Sequence, residues 1–424
     1  MQPDDTPPPK PRPRRWARII GWSWALFLLL ATLTSLPVGD TAPPVGFATC
    51  LICGERGAAD AILNIFLFVP LGLVVGARLG LLRAFALGAG LSAMIEVAQT
   101  FLSGRYATLG DVVWNATGAL VGVVLYRALA ARAEGSAPRE PAATMLPILT
   151  GLVVLIGGWL LGSAPTDEAY WGQWTPDFGT GTRYPGAVLD ARFNAHPFPS
   201  ARLPASWSGA DMLRTDWTLE GSVLKEGVPR SYTSVLSIYD GQQREILYLG
   251  AFREHLVLRE RMRAQDLRLD RPQLLAADVL SPVGVGDTMR VTASRAGDDR
   301  CVAVDHAETC GLGFTAGRLW TLLGAPAHAS SWLLRTVDSL WLLALFFPVG
   351  LFAGSGRRAL VHTALALVIA AVGVGLTRLG VGPWTETAAA VTGAAVGHAA
   401  GALLRRVAAR GSRPSSRRMS AAST

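Results

Sequence analysis

Residues 58–76 read AADAILNIFLFVPLGLVVG, and residues 91–122 read LSAMIEVAQTFLSGRYATLGDVVWNATGALVG. Between Asp60 and Arg127 lie three apolar segments, each long enough to cross a bilayer, which takes roughly 20 helical residues. They nonetheless carry Asp60, Asn64, Glu96, Gln99, Asp111 and Asn115, with Arg105 in the polar turn SGRYATLG. Charged groups at the bilayer centre cost roughly 2.5–3.5 kcal/mol on insertion scales, so they are retained where they pair, face a cavity or do work. Helix direction sharpens the pattern. If the first segment enters from outside, Asp60 and Asn64 occupy its outer turns. The returning segment then ends with Glu96 and Gln99, three apart and on one face. Asp111 and Asn115, four apart, open the next inward helix. All seven side chains fall at one depth, the outer edge of the membrane.

The spacing D-x-x-x-N-x-x-x-F-x-P-x-G, then E-x-x-Q, then R, then D-x-x-x-N-x-x-G resembles the VanZ-like family of bacterial membrane proteins. Asp60, Asn64, Phe68, Pro70, Gly72, Glu96, Gln99, Arg105, Asp111, Asn115 and Gly118 carry it. The resemblance covers roughly the first 130 residues, and every polar position of the pattern is present. It implies a protein of the bacterial cell envelope. It also implies a link to glycopeptide (teicoplanin) tolerance, an antibiotic-resistance trait from which the family takes its name.

The 424 residues are 50% hydrophobic and only 17% charged, which excludes a uniformly soluble chain. Lysine occurs only at Lys10 and Lys225, so the net charge of +8 is nearly all arginine. Those arginines flank apolar segments, which is a topology signal and argues against a nucleic-acid partner.

The Pro-rich, basic stretch 1–15 is expected to be a disordered cytoplasmic tail. A first span at about 16–37 is read as a retained helix; a cleaved signal peptide is the alternative. Further spans follow at 58–77, 82–102, 109–130, 145–161, 333–353, 358–379 and 384–404. Arg78 and Arg83, Arg127, Arg132 and Arg139, Arg357 and Arg358, and the run from Arg405 to Arg418 all fall on one side. The positive-inside rule then puts both termini in the cytoplasm and segment 164–330 outside. The domains expected are the tail 1–15, a VanZ-like four-helix domain 16–132, and a linker with the fifth helix 133–163. An extracytoplasmic β domain 164–330, helices six to eight 331–406 and a basic disordered tail 407–424 complete the chain.

The late spans echo the early ones. DAILNIFLFVPLGLVVG from Asp60 aligns without gaps on DSLWLLALFFPVGLFAG from Asp338, and TGALVG from Thr117 resembles TGAAVG from Thr392. In the second copy Asn64 is matched by Leu342 and Asn115 by Ala390, while Glu386 stands opposite Asp111. The polar set is lost there, so the first copy is the expected working half. The glycines at small-x-x-x-small spacing let helices approach closely. His362 and His398 read as bundle packing in preference to metal binding.

Between the copies, DWTLEGSVL, SVLSIYD, REILYLGAF, HLVLRER, MRVTASR and CVAVDH are short alternating or apolar runs separated by turn residues. They suggest a two-sheet sandwich, and their order resembles a concanavalin A-like or LamG-type jelly roll. That resemblance implies a surface for glycan or protein. Trp207 and Trp217 are read as sugar platform or core, and Glu220, Asp240, Glu245, Asp298, Asp299 and Asp305 as solvated loop charges. Cys50-x-x-Cys53 lacks the second pair that a zinc site needs, so a small disulfide or two idle thiols is expected, with redox chemistry of the C-x-x-C pair as the alternative. Cys301 and Cys310 stand on adjacent strands or a hairpin, where an outside location permits a disulfide.

The fold class expected is a polytopic α-helical membrane protein of about eight spans, in two degenerate four-helix repeats, with an inserted extracytoplasmic all-β sandwich. No cofactor or metal is expected. The outer-edge cluster of Asp60, Asn64, Glu96, Gln99, Arg105, Asp111 and Asn115 has two functional readings. In the first it binds a lipid headgroup or lipid-linked cell-wall precursor, with Arg105 on an anionic group. In the second it is an enzyme on a lipid-linked substrate, with Glu96 as acid or base and Arg105 stabilising charge. The sequence offers that enzyme no nucleophile in register. A purely structural role, three helix ends pinned by paired charges, is the competing account.

Overall fold

Long apolar runs become helices because a helix satisfies its own backbone hydrogen bonds, which hydrocarbon will not do. The computed structural model describes residues 23, 24, 26–28, 30, 32, 33, 46–102, 107–134, 140–164, 166, 169–177, 183–204, 215–270, 272–297, 299–310, 314–324, 331–377 and 379–411. Among these, seven helices are long and apolar enough to cross a membrane. The chain divides into two units, Met1–Ala137 and Pro138–Thr424.

The first unit contains α1 (Gly57–Val75), α2 (Leu81–Gln99) and α3 (Leu109–Ala133). Thr108 caps α3, its hydroxyl accepting the Asp111 N–H at 3.0 Å. Helices α1 and α3 meet backbone to backbone. A Cβ on Gly72 would lie 2.0 Å from the Ala119 carbonyl oxygen, and one on Gly118 would lie 2.3 Å from that of Ile65. One on Gly122 would lie 2.1 Å from that of Val69. Only glycine permits this approach. The expected span at 16–37 falls mostly outside the described residues, as does the tail 1–15. Those of its residues that are described, apart from Leu33, are helical. Trp24 donates its indole N–H to the Leu67 carbonyl at 3.0 Å, and Leu28 packs with Phe68 and Ile95.

The second unit holds α4 (Glu140–Leu160), α5 (Ser331–Phe352), α6 (Gly356–Leu376) and α7 (Trp384–Gly411). Helix α7 runs past the boundary expected at 406, because VAAR after Arg406 is good helix-forming sequence. The α5–α7 contact uses the same device as α1–α3. A Cβ on Gly350 would lie 1.8 Å from the Ala394 carbonyl oxygen, one on Gly393 2.3 Å from that of Leu343, and one on Gly397 2.0 Å from that of Phe347.

Between α4 and α5 lie two antiparallel sheets. The strands are β1 (Tyr170–Trp174), β2 (Gly186–Phe193), β3 (His196–Pro197), β4 (Trp217–Lys225), β5 (Thr233–Asp240) and β6 (Glu245–Phe252). They continue with β7 (His255–Glu260), β8 (Leu274–Ala276), β9 (Thr288–Ala296), β10 (Asp299–Val304) and β11 (Ala307–Thr309). One sheet has the order β1-β5-β6-β7-β8, the other β11-β10-β9-β4-β2-β3. Each of the six runs picked out by alternation falls mainly on a strand; β1, β2, β3, β8 and β11 join them. Strand β4 buries every second residue from Trp217 to Lys225. Its Gly221 sits under Leu236 of β5, where an added Cβ would come within 2.9 Å. Glu260 of β7 reaches the other sheet, accepting from Arg300 Nε at 3.1 Å with Arg295 3.6 Å away. Trp217 is core, stacked on Phe193.

A 3₁₀ helix, Ala316–Leu322, leads from the sheets to α5. Leu319 packs so closely on α4 that a Cβ on Gly157 would lie 2.8 Å from it. The cysteines pair as Cys50–Cys53 and Cys301–Cys310.

Candidate functional site

Several polar residues of α1, α2 and α3 are joined by hydrogen bonds. Asn64 on α1 donates its amide to Asp111 Oδ1 on α3. Glu96, buried near the end of α2, accepts the Thr108 backbone N–H through Oε2 at 2.9 Å. Asn115 donates to Ser92 Oγ at 2.9 Å, tying α3 to α2 at a buried point. Gln99, also buried, donates to the Thr32 carbonyl at 2.9 Å. Asp60 is exposed, and Asn64 and Asp111 are half-buried. Arg105 lies outside the described residues.

Six of the seven expected residues therefore stand near the ends of three helices, in a cluster that grades from buried amides to an exposed carboxylate. Glu96 has a definite structural task, since its carboxylate satisfies an N–H at the start of α3 that no helical carbonyl can reach. Ser92, Thr108 and Thr32 complete the network and went unnoticed in the sequence. Ser92 is a lone hydroxyl in an apolar run, which carries little signal because it can bond its own helix, and Thr32 takes part through its main-chain carbonyl, which residue type does not mark. The segment before α1 adds a lid of backbone groups: Gly110 N–H donates to the Cys50 carbonyl at 3.1 Å and Trp114 Nε1 to the Leu51 carbonyl at 2.8 Å.

The second unit fills the matching positions with its own chain. Asp338 accepts from Arg318 Nε at 2.7 Å and from Trp320 Nε1 at 2.8 Å. Glu386 accepts the Thr315 hydroxyl and, at 3.0 Å, the Gly317 N–H. Both carboxylates are buried. They hold the 3₁₀ helix that enters α5.

Of the acidic residues read as loop charges in the β region, Asp305 is exposed in a turn, and others need correction. Asp240 is fully buried and accepts from the Gln242 and Arg244 N–H groups at 3.0 and 2.9 Å and from Arg244 Nε at 2.6 Å. Burial alone would raise its pKa, but these hydrogen bonds and the Arg244 charge outweigh it and hold the carboxyl below the ordinary value. Glu245 is half-buried and paired with Arg259 at 3.0 Å. Glu220 lies on β4 and Asp299 on β10; Asp298 and Trp207 fall outside the described residues.

Seven apolar helices with two antiparallel sheets between the fourth and fifth define a multi-pass membrane protein with a β region. Residues 21–130 match the VanZ/LLP1 family model, and this part of the chain is a VanZ-like domain. The polar cluster falls inside that match. No curated protein and no solved structure matches the chain.

Proposed function

We propose that the protein is a VanZ-like membrane protein of the bacterial envelope that binds a lipid headgroup or lipid-linked wall precursor at the outer leaflet. Its β region, a sandwich of jelly-roll type, contacts glycan or protein outside. The observation that carries the site is the grading of polar residues at three neighbouring helix ends, four of which (Asn64, Asp111, Thr108 and Glu96) are joined by hydrogen bonds. Its inner members are committed to packing: Glu96 and Gln99 bond the chain at helix ends, and Asn115 ties α3 to α2 through Ser92. Its rim, Asp60 with Asn64 and Asp111, reaches solvent, and the sequence puts Arg105 in the turn beside it. A buried carboxylate already bonded to a backbone N–H suits a scaffold for binding better than an acid–base catalyst, which is why catalysis by Glu96 is the second choice.

Duplication of a four-helix unit is supported by the packing. Gly72 to Ala119, Gly118 to Ile65 and Gly122 to Val69 recur as Gly350 to Ala394, Gly393 to Leu343 and Gly397 to Phe347, at constant sequence offsets. The sidedness is supported by chemistry at both faces: arginines cluster in the turns read as cytoplasmic, while both disulfides fall in segments read as outside.

The test is survival under teicoplanin of cells carrying wild type, Asp60→Asn, Glu96→Gln or Arg105→Ala at equal membrane abundance. Protection should persist in Glu96→Gln, which keeps an acceptor for Thr108, and fail in Arg105→Ala and Asp60→Asn. Equal protection by all four, or none by wild type, sinks the assignment. Failure of Glu96→Gln alone would point to the enzyme.

A further inference from the structure

Three apolar spans of the second unit meet one boundary with a tryptophan. The span of α4 ends at Leu160, next to Trp159, and those of α5 and α7 begin at Trp332 and Trp384. The three residues are 52%, 68% and 80% exposed. Tryptophan collects at the membrane–water boundary, with its ring among the headgroups. Trp159, Trp332 and Trp384 therefore mark the headgroup level on the side that carries the sheets.

The β region touches that level directly. Beyond Glu260 the chain runs beside the residues that leave α4. The Ala164 N–H donates to the Arg261 carbonyl and the Arg263 N–H to the Gly162 carbonyl, both at 3.0 Å. Arg263 then turns back onto the helix. Its guanidinium lies 5.0 Å from the centre of the Trp159 ring, and Nη1 donates to the Trp159 carbonyl at 2.9 Å. Gly162 leaves room for it, since a Cβ there would lie 2.3 Å from Nη1. The headgroup layer is roughly 5–8 Å thick on each side of the hydrocarbon core, so a cation this close to an interfacial ring stands among lipid phosphates. After the one-turn helix Arg263–Asp266, Leu267 is 54% exposed, and Arg268 beside it is exposed too. An apolar side chain flanked by arginines at this depth suits the headgroup layer.

The guanidinium is built for a phosphodiester. Its bond to Trp159 takes one of five N–H groups, so the planar fork has donors left for two oxygens of one phosphate. Stacking on the indole fixes the plane of the fork before a ligand arrives. The neighbouring carboxylate, Asp266, is held by Arg261.

We propose that Arg263, braced on Trp159, binds the phosphate of a membrane phospholipid, with Leu267 in the headgroup layer, and that this contact seats the β region on the bilayer. The site lies in the second unit and does not draw on the polar cluster of the first. The test uses the full chain in detergent. All four cysteines are paired, so Leu267→Cys carries the single free thiol and takes a bimane label beside the site. Dihexanoyl phosphatidylglycerol should change the label's emission saturably. Dihexanoylglycerol, which lacks the phosphate, and inorganic phosphate, which lacks the chains, should not. In the labelled protein Arg263→Gln should raise the half-saturating concentration about tenfold, the loss of a charge-assisted pair. Arg263→Lys keeps the charge without the fork and should raise it less. Arg253→Gln removes an arginine stacked on Phe252, at the other end of β7, and should change nothing. In liposomes, a nitroxide on the lipid headgroup should quench the label at residue 267. It should spare a label on Val285→Cys, an exposed site in the loop that bonds Lys225 at the far end of β4. An unquenched label at 267, or equal half-saturation with and without Arg263→Gln, overturns the proposal. A response to inorganic phosphate as strong as that to the lipid overturns the lipid as ligand. Asp60→Asn should lose teicoplanin protection with the label's response intact, which separates failure of this site from failure of the first.

Discussion

Asp240 illustrates what a single residue can hide. In the sequence it ends a strand before Gly241 and looks like a solvated turn charge. Folding buries it and gives it three N–H donors within two to four residues. Its folded pKa lies below the unfolded one, so its contribution to stability is full above the unfolded value and is lost as pH falls through the folded value. Asp240→Asn should therefore cost about 1–3 kcal/mol at neutral pH. The difference from wild type should shrink as pH falls through the folded value and the wild-type carboxyl takes up its proton. Unfolding midpoints of the full chain measured in steps from pH 7 into the acid range check this. Glu96 makes the complementary point. Its place near a helix end was legible and marked it as special, but its partner, the Thr108 N–H, lies across a turn whose path the residue types do not encode.

Helices were readable because their signal is local. Length and hydropathy marked the segments that became α1 to α7, and small-x-x-x-small spacing marked the faces that approach. The contact geometry separates glycines that matter from those that do not. A Cβ on Gly122 would meet the Val69 carbonyl oxygen at 2.1 Å, whereas one on Gly90 of α2 meets nothing within 4 Å. Gly122→Ala should thus force α1 and α3 apart and lower the thermal midpoint and membrane yield. Gly90→Ala should be neutral or should stabilise by up to about 1 kcal/mol, by helix propensity. Equal effects of the two would contradict the packing. Strands were harder. Alternation exposed β4, β5, β6, β7, β9 and β10, while β3, β8 and β11 are too short to carry a period. Strand β1, YWGQW, has its pattern blurred by large rings on both faces.

At the scale of the whole molecule, the β region and the helices of the second unit are joined by side chains that the sequence read as remnants. Asp338 and Glu386 looked like the residue of a degraded polar set. They instead clasp Arg318, Trp320, Thr315 and Gly317 at the entry to α5. Removing Arg318 leaves Asp338 buried without its charge partner, a cost of about 3–5 kcal/mol for such pairs, lessened here because Arg318 is 29% exposed. Arg318→Ala should lower the unfolding midpoint clearly, and Arg318→Ala with Asp338→Asn should recover part of the loss, because the stranded charge is gone. A double variant no better than the single would mean that the pair contributes little. Residue order alone made legible the class of protein, the apolar segments that form α1 to α7, the β character of the insert and the VanZ-like pattern of the first unit. Each of these rests on hydropathy, period or spacing, properties that neighbouring residues carry together. Only the folded chain shows which carboxylates are structural and how the polar helix ends interlock. Those depend on register and on partners up to 71 residues away, such as Thr315 and Glu386, and no local pattern records them.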